Sequence, residues 1–69
     1  RITFGYIRTG DLLFFADNGG TGWADADHVG VYLGNGWMIH STGSNAGVAI
    51  EWIGDGWWRD HFLWGRHLF

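Results

Sequence analysis

Sixty-nine residues make at most one small domain, and a chain this short struggles to build a sufficient core alone. It has no cysteine, so it holds no disulfide, no thiolate metal site and no thiol nucleophile. A net charge of −3 with four Lys and Arg residues argues against a nucleic-acid binder, and no run of about 18 apolar residues offers a membrane span. Six tryptophans and five phenylalanines supply more apolar area than a compact unit of this size can hide. Leftover apolar surface marks an interface. With a start at Arg1 rather than Met, this makes the chain part of something larger in expectation.

Thirteen glycines and no proline divide the sequence into short β-like runs. "DLLFFAD" (11–17) lies between Gly10 and the loop-like "NGGTG" (18–22). "HVGVYLG" (28–34) and "WMIHST" (37–42) flank Asn35-Gly36, the strongest short-range hairpin signal. "STGSNAG" (41–47) reads as a polar loop, and "GVAIEWI" (47–53) alternates, with Val48, Ile50 and Trp52 on one side. "GDG" (54–56) breaks that run. "WWRDHFLWGRHLF" (57–69) suggests a helical turn leading into a last strand from Phe62. The expected sheet is antiparallel with four to six short strands. Such a sheet packs one face on a core, and the layer that covers it is expected upstream of Arg1.

The hairpin register decides where His28 and His40 point. A plain two-residue turn at Asn35-Gly36 pairs Val31 with His40, mixes both faces and sends the histidines apart. A three-residue connection, Gly34-Asn35-Gly36 with a left-handed glycine, shifts the pairing by one. Val29, Val31, Leu33, Trp37 and Ile39 then form one coherent apolar face, expected to be the core. His28, Gly30, Tyr32, Met38, His40 and Thr42 take the other. A one-residue slip flips a strand's whole apolar set, so burial selects the second register. It makes His28 and His40 diagonal neighbours about 7–8 Å apart at the backbone, a gap their rings can bridge. Gly30 between them either leaves room for a ligand or marks a bend.

Two histidines within reach suit a general base oriented by a second residue, which fixes its tautomer and ring plane. Asp25 and Asp27 beside His28 either favour its protonated form or, as exposed aspartates more often are, are simply solvated. For a lone histidine the plainer reading is a satisfied, half-buried polar side chain; the pair on one face tips the balance to function.

"GDLLFF" (10–15), "HVGVYLGNGWMIH" (28–40), "GVAIEW" (47–52) and "FLWGRHL" (62–68) together resemble the NlpC-type cell-wall cysteine peptidases. That family has a Gly-Asp-Leu-aliphatic-Phe-Phe strand, a His-Val-Gly-Ile-Tyr-Leu-Gly hairpin and a closing Gly-Ala-Arg-Arg-like strand. The match runs in order over residues 9–68. The resemblance implies a papain-like α+β fold, of which residues 1–69 form the C-terminal β-sheet part. It implies His28 as catalytic base and His40 as the orienting residue. The cysteine would be supplied from outside this chain, on an N-terminal helical part of the same domain. The implied reaction cleaves the γ-D-glutamyl–diamino-acid amide of peptidoglycan stem peptides. The implied location is extracellular, in the cell wall or in the periplasm. A histidine pair alone forms no acyl-enzyme, so the isolated chain is expected to be inactive.

No metal site is expected, since His61 and His67 match no ligand spacing and there is no His-Glu-x-x-His; no cofactor is expected either. Asp11 reads as a turn or cap. Trp23 reads equally as cleft lining or packing, and Arg66 as structural. Trp57 and Trp58 beside Arg59 read as core or interface packing rather than a sugar platform, because adjacent residues on a strand cannot both face one ligand. Two other functions compete: a lecithin-retinol-acyltransferase-like thiol acyltransferase, which shares a similar His hairpin, and an inactive wall-binding module of the same fold.

Overall fold

The computed structural model describes residues 1–43 and 47–68. Five strands form one antiparallel sheet: β1 (Leu12–Phe15), β2 (His28–Gly34), β3 (Trp37–Ser41), β4 (Val48–Trp52) and β5 (Phe62–Arg66). Their spatial order is β4-β3-β2-β1-β5. The only α-helix among the described residues, α1 (Gly56–His61), follows the "GDG" break and leads directly into β5. Short 3-10 turns occupy Phe4–Tyr6 and Trp23–Asp25. The loop expected over 41–47 falls partly, at 44–46, outside the described residues, as does Phe69 at the end of the last run.

The β2–β3 pairing follows the second register: Gly30 faces His40, Val31 faces Ile39 and Tyr32 faces Met38. The pairing then slips by one, so that Gly34 faces Trp37 and Leu33 is the extra residue. Asn35-Gly36 is thus a tight two-residue turn, and the shift comes from a bulge just before it, not from a three-residue loop. Gly34, Asn35 and Gly36 all have positive φ, at 94°, 55° and 91°. That is the left-handed region glycine enters without penalty and Asn tolerates. A side chain at Gly36 would also strike the Trp52 ring. Its N–H donates to the Tyr32 hydroxyl at 2.9 Å, and its carbonyl accepts from Ile53 N–H at 2.8 Å, which ties the hairpin to the end of β4.

The core lies on the opposite face from the one the apolar pattern suggested. Leu13, Phe15, Met38 and Ile53 are fully buried, with Phe4, Ile7, Tyr32, Trp58 and Phe62 packed against them. These residues share the face of His28 and His40. Val29, Trp37, Val48, Ile50 and Trp52 on the other face are 43–64% exposed. The physical reason is that the local covering elements, the Phe4–Tyr6 turn and α1, both fold over the histidine face. Aromatic edges close that layer: Trp58 and Phe62 meet the Phe15 ring edge-on at 5.0 and 5.8 Å, and Phe4 meets Phe62 at 5.4 Å. Trp57 and Trp58 sit on α1, the helical turn expected before the strand from Phe62, so the strand argument against their sharing a ligand does not apply. The open face keeps a broad apolar surface, including Phe14 stacked on Trp64 at 4.0 Å.

Gly30 serves this core. It is buried, and a Cβ there would lie 2.6 Å from Met38 Sδ and 3.3 Å from the Ile39 carbonyl. The space is taken by Met38, so it is neither ligand room nor a bend. Asp11, 3% exposed, caps the turn before β1, as its Arg8 N–H partner at 2.7 Å shows. It also accepts from His67 Nδ1 at 2.7 Å, which fastens the chain beyond β5 to the start of β1. Burial opposes ionisation of Asp11, but the hydrogen bonds from His67 and Arg8 outweigh it and hold the carboxyl below the usual carboxylate range.

Gly30→Ala should destabilise the fold by about 1–3 kcal/mol, the cost of overpacking a filled core. In urea unfolding, the Gly30→Ala, Met38→Ala double variant should lose less than the sum of the two single losses, because the clash is with Met38 itself. Strict additivity would place the core elsewhere.

Candidate functional site

His28 opens β2 and His40 lies near the end of β3; His40 faces Gly30, two residues along β2 from His28, so both side chains leave the sheet on the same face. His28 Nε2 and His40 Nδ1 are 2.7 Å apart, a hydrogen bond that one ring donates and the other accepts. The rings cross at 77° with centroids 4.9 Å apart. His40 is the buried partner, with its side chain 3% exposed, and His28 is half-buried. Trp58 closes over both, its ring 5.3 Å from His28 and 4.9 Å from His40, and Phe15 lies 6.3 Å from His28 on the floor. A pair wedged between aromatic walls has little freedom to rotate.

The second nitrogen of His40, Nε2, lies 3.3 Å from Glu51 Oε2. Glu51 sits on β4 opposite Met38, which places it on the histidine face and diagonal to His40. Sequence reasoning left Glu51 out. The available signal was the alternation in "GVAIEWI": a carboxylate opposite three apolar residues belongs on the face that Val48, Ile50 and Trp52 avoid. Trp58 was likewise read only as packing, although it walls the pair.

A cleft of about 280 Å³ opens beside the two rings, lined also by Asp17, Thr42, Glu51, Trp57 and Trp58. A second hollow of about 480 Å³ meets His28 from the side of Phe14, Ala26, Asp27, Val29 and Ser41. His28 therefore borders open space on two sides while His40 stays enclosed. Trp23 lies outside both hollows, under the Arg1 guanidinium at 3.8 Å, with its carbonyl accepting Trp64 Nε1–H.

The electrostatics of His28 are set by burial more than by its aspartate neighbours. Its pKa lies below the ordinary imidazole value, first because burial disfavours the charged ring and second because His40 is close by. Asp27 and Asp17 pull the other way and lose. Asp25 takes no part: its Oδ2 accepts Gly22 N–H at 2.9 Å and closes the Trp23–Asp25 turn. The Asp27 Oδ1 is spent on Asp17 N–H at 2.8 Å. A neutral imidazole at neutral pH is the form that can accept a proton.

Among the described residues no three His, Asp or Glu side chains are grouped to hold a metal ion. His28, His40 and Glu51 form a chain, each bonded to the next, and do not converge on one point. His67 pairs with Asp11, and His61 stacks on Trp57 at 3.8 Å with Nδ1 donating to the Trp57 carbonyl.

The model of the NlpC/P60 family matches residues 2–67. The murein DD-endopeptidase MepH of Escherichia coli is 38% identical to the chain over 63 residues, which is 90% of the chain and 22% of MepH. The bifunctional muramidase/DL-endopeptidase CwlT of Bacillus subtilis is 46% identical over 64 residues, 91% of the chain and 18% of CwlT. A crystal structure of an NlpC/P60 family protein from Bacillus cereus superposes with a TM-score of 0.77 at 29% identity, covering 96% of this chain and 21% of that one. The chain thus spans about a fifth of the length of these relatives.

Two titrations check the electrostatics. The ring resonances of His28 should titrate with a midpoint below about 6.5, the ordinary imidazole value. Asp27→Asn should lower that midpoint further, since it removes a charge that favours the imidazolium. The sign for stability follows. The unfolded chain takes up this proton near pH 6.5 and the folded chain resists, so stability from this group falls as pH drops through that window, then levels off.

Proposed function

The chain belongs to the NlpC/P60 family, and from that premise we propose that it carries the base and the orienting residue of a peptidoglycan-cleaving cysteine peptidase. In this reading His28 takes the proton of a thiol as the sulfur attacks an amide carbonyl, then returns it to the leaving amine. His40 holds the His28 ring through the Nε2–Nδ1 bond, leaving His28 Nδ1, which has no hydrogen bond among the described residues, to meet the thiol. The 69 residues contain no cysteine, so the nucleophile is supplied from outside them. Residues 1–69 then serve as the C-terminal sheet part of the catalytic domain, and the helical part bearing the cysteine is their partner.

The bond we assign is the γ-D-glutamyl–diamino-acid amide of stem peptides, reached in the cell wall or periplasm where that polymer lies. Support comes from the endopeptidase relatives, although their names divide between DD and DL cleavage. The observation that carries the reading is the 2.7 Å contact between a half-buried His28 and an enclosed His40. An ordinary core histidine needs no second imidazole on its far nitrogen.

Hydrolysis of a γ-D-Glu–diaminopimelate peptide by the protein that carries this chain tests it. His28→Ala should cut kcat by about 10²–10⁴-fold or more, the usual worth of a general base. His40→Ala should cost less, and His40→Asn, which keeps an acceptor, less again. Unchanged turnover in His28→Ala would overturn the reading, and retention on purified sacculi without cleavage would favour the wall-binding module.

A further inference from the structure

We propose that Glu51 is a positioning residue that sets the proton arrangement of the whole histidine chain; this deepens the catalytic reading above and rests on it. Three polar groups stand in line, and their donors and acceptors must match. An ionised carboxylate can only accept a hydrogen bond. With Glu51 Oε2 at 3.3 Å, His40 must therefore present N–H at Nε2. A neutral imidazole has one N–H, so His40 Nδ1 becomes an acceptor. His28 then has to donate from Nε2 across the 2.7 Å contact, which leaves its Nδ1 with a free lone pair. That lone pair is what a general base needs.

Without an acceptor beyond His40, the same two rings satisfy each other equally well in reverse. His40 would donate from Nδ1, His28 would accept at Nε2, and the His28 proton would sit on Nδ1, where it blocks the base. The hydrogen bond between the histidines does not choose between these states. Glu51 does.

The surroundings leave Glu51 as the group placed to make that choice. Trp58 walls both rings and Phe15 lies against His28, both apolar faces, and Asp17 and Asp27 act on His28 only through their charge. At His40, the nitrogens meet His28 and Glu51. Glu51 is 39% exposed at its side chain while His40 is 3% exposed, so the carboxylate stands at the solvent end of the chain and the imidazole inside it.

Nitrogen-15 shifts of the ring nitrogens, measured in the protein that carries this chain, read the tautomers directly. In the wild type at a pH above the His28 midpoint, both His28 and His40 should show protonated Nε2 and unprotonated Nδ1. Glu51→Gln keeps the shape but can donate as well as accept, so His40 should become a mixture and kcat should fall by about tenfold with KM little changed. Glu51→Lys offers only donors, so His28 should shift towards Nδ1–H and kcat should fall further, by about a hundredfold or more. A purely structural role would lower thermal stability and leave the tautomers alone. Tautomers and kcat unchanged in both variants, with His28→Ala still inactive, would overturn this proposal and spare the catalytic reading. Activity independent of His28 would instead overturn the catalytic reading, while the nitrogen shifts would still decide whether Glu51 sets the tautomers.

Discussion

Everything at the site depends on one extra residue in β2. Leu33 bulges where Tyr32↔Met38 pairing gives way to Gly34↔Trp37, and Gly34 accommodates the slip at a φ of 94°. Without that slip, the tight Asn35-Gly36 turn alone would set His28 and His40 on opposite faces. The bulge is where hairpin twist and left-handed glycine geometry meet the chemistry. Tyr32, bonded through its hydroxyl to Gly36, secures the same corner from the core side.

Burial then grades the three polar groups. His40 lies under Trp58 and inside the sheet's covered face, where an unpaired ring nitrogen would be costly, and both its nitrogens are engaged. His28, nearer the strand end, keeps one nitrogen uncommitted and borders two hollows. Glu51 stays partly wet. The order from enclosed to open matches the division of labour proposed here, with the orienting group inside and the reacting group at the surface. The same α1 that supplies Trp58 continues without a break into β5, so the wall over the histidines is anchored to the sheet's far edge.

Much of this is legible in the sequence alone. Asn-Gly marked the hairpin, alternation marked β4, and the observed β2 and β3 fall within the expected runs. The register followed from keeping apolar side chains together. Which face became the core did not follow, because both faces are apolar: Val29, Val31 and Ile39 against Leu13, Phe15 and Met38. That choice is made by tertiary contacts from Phe4, Trp58 and Ile53, and local pattern carries no record of them. Glu51 escaped because the β3–β4 register depends on a loop whose length gives no pairing rule, whereas Asn35-Gly36 does. The sign of the His28 shift is not readable from sequence for a related reason. Two nearby aspartates are visible in sequence, but the burial that outweighs them is not.

The most direct test of the account is the hydrogen bond itself. In nitrogen-15-labelled protein at neutral pH, a scalar coupling between His28 Nε2 and His40 Nδ1 should be detectable, because the two atoms share a proton across 2.7 Å. Absence of that coupling, with both rings showing independent exchange with solvent, would contradict the register, the shared face and the pairing on which the proposed chemistry rests.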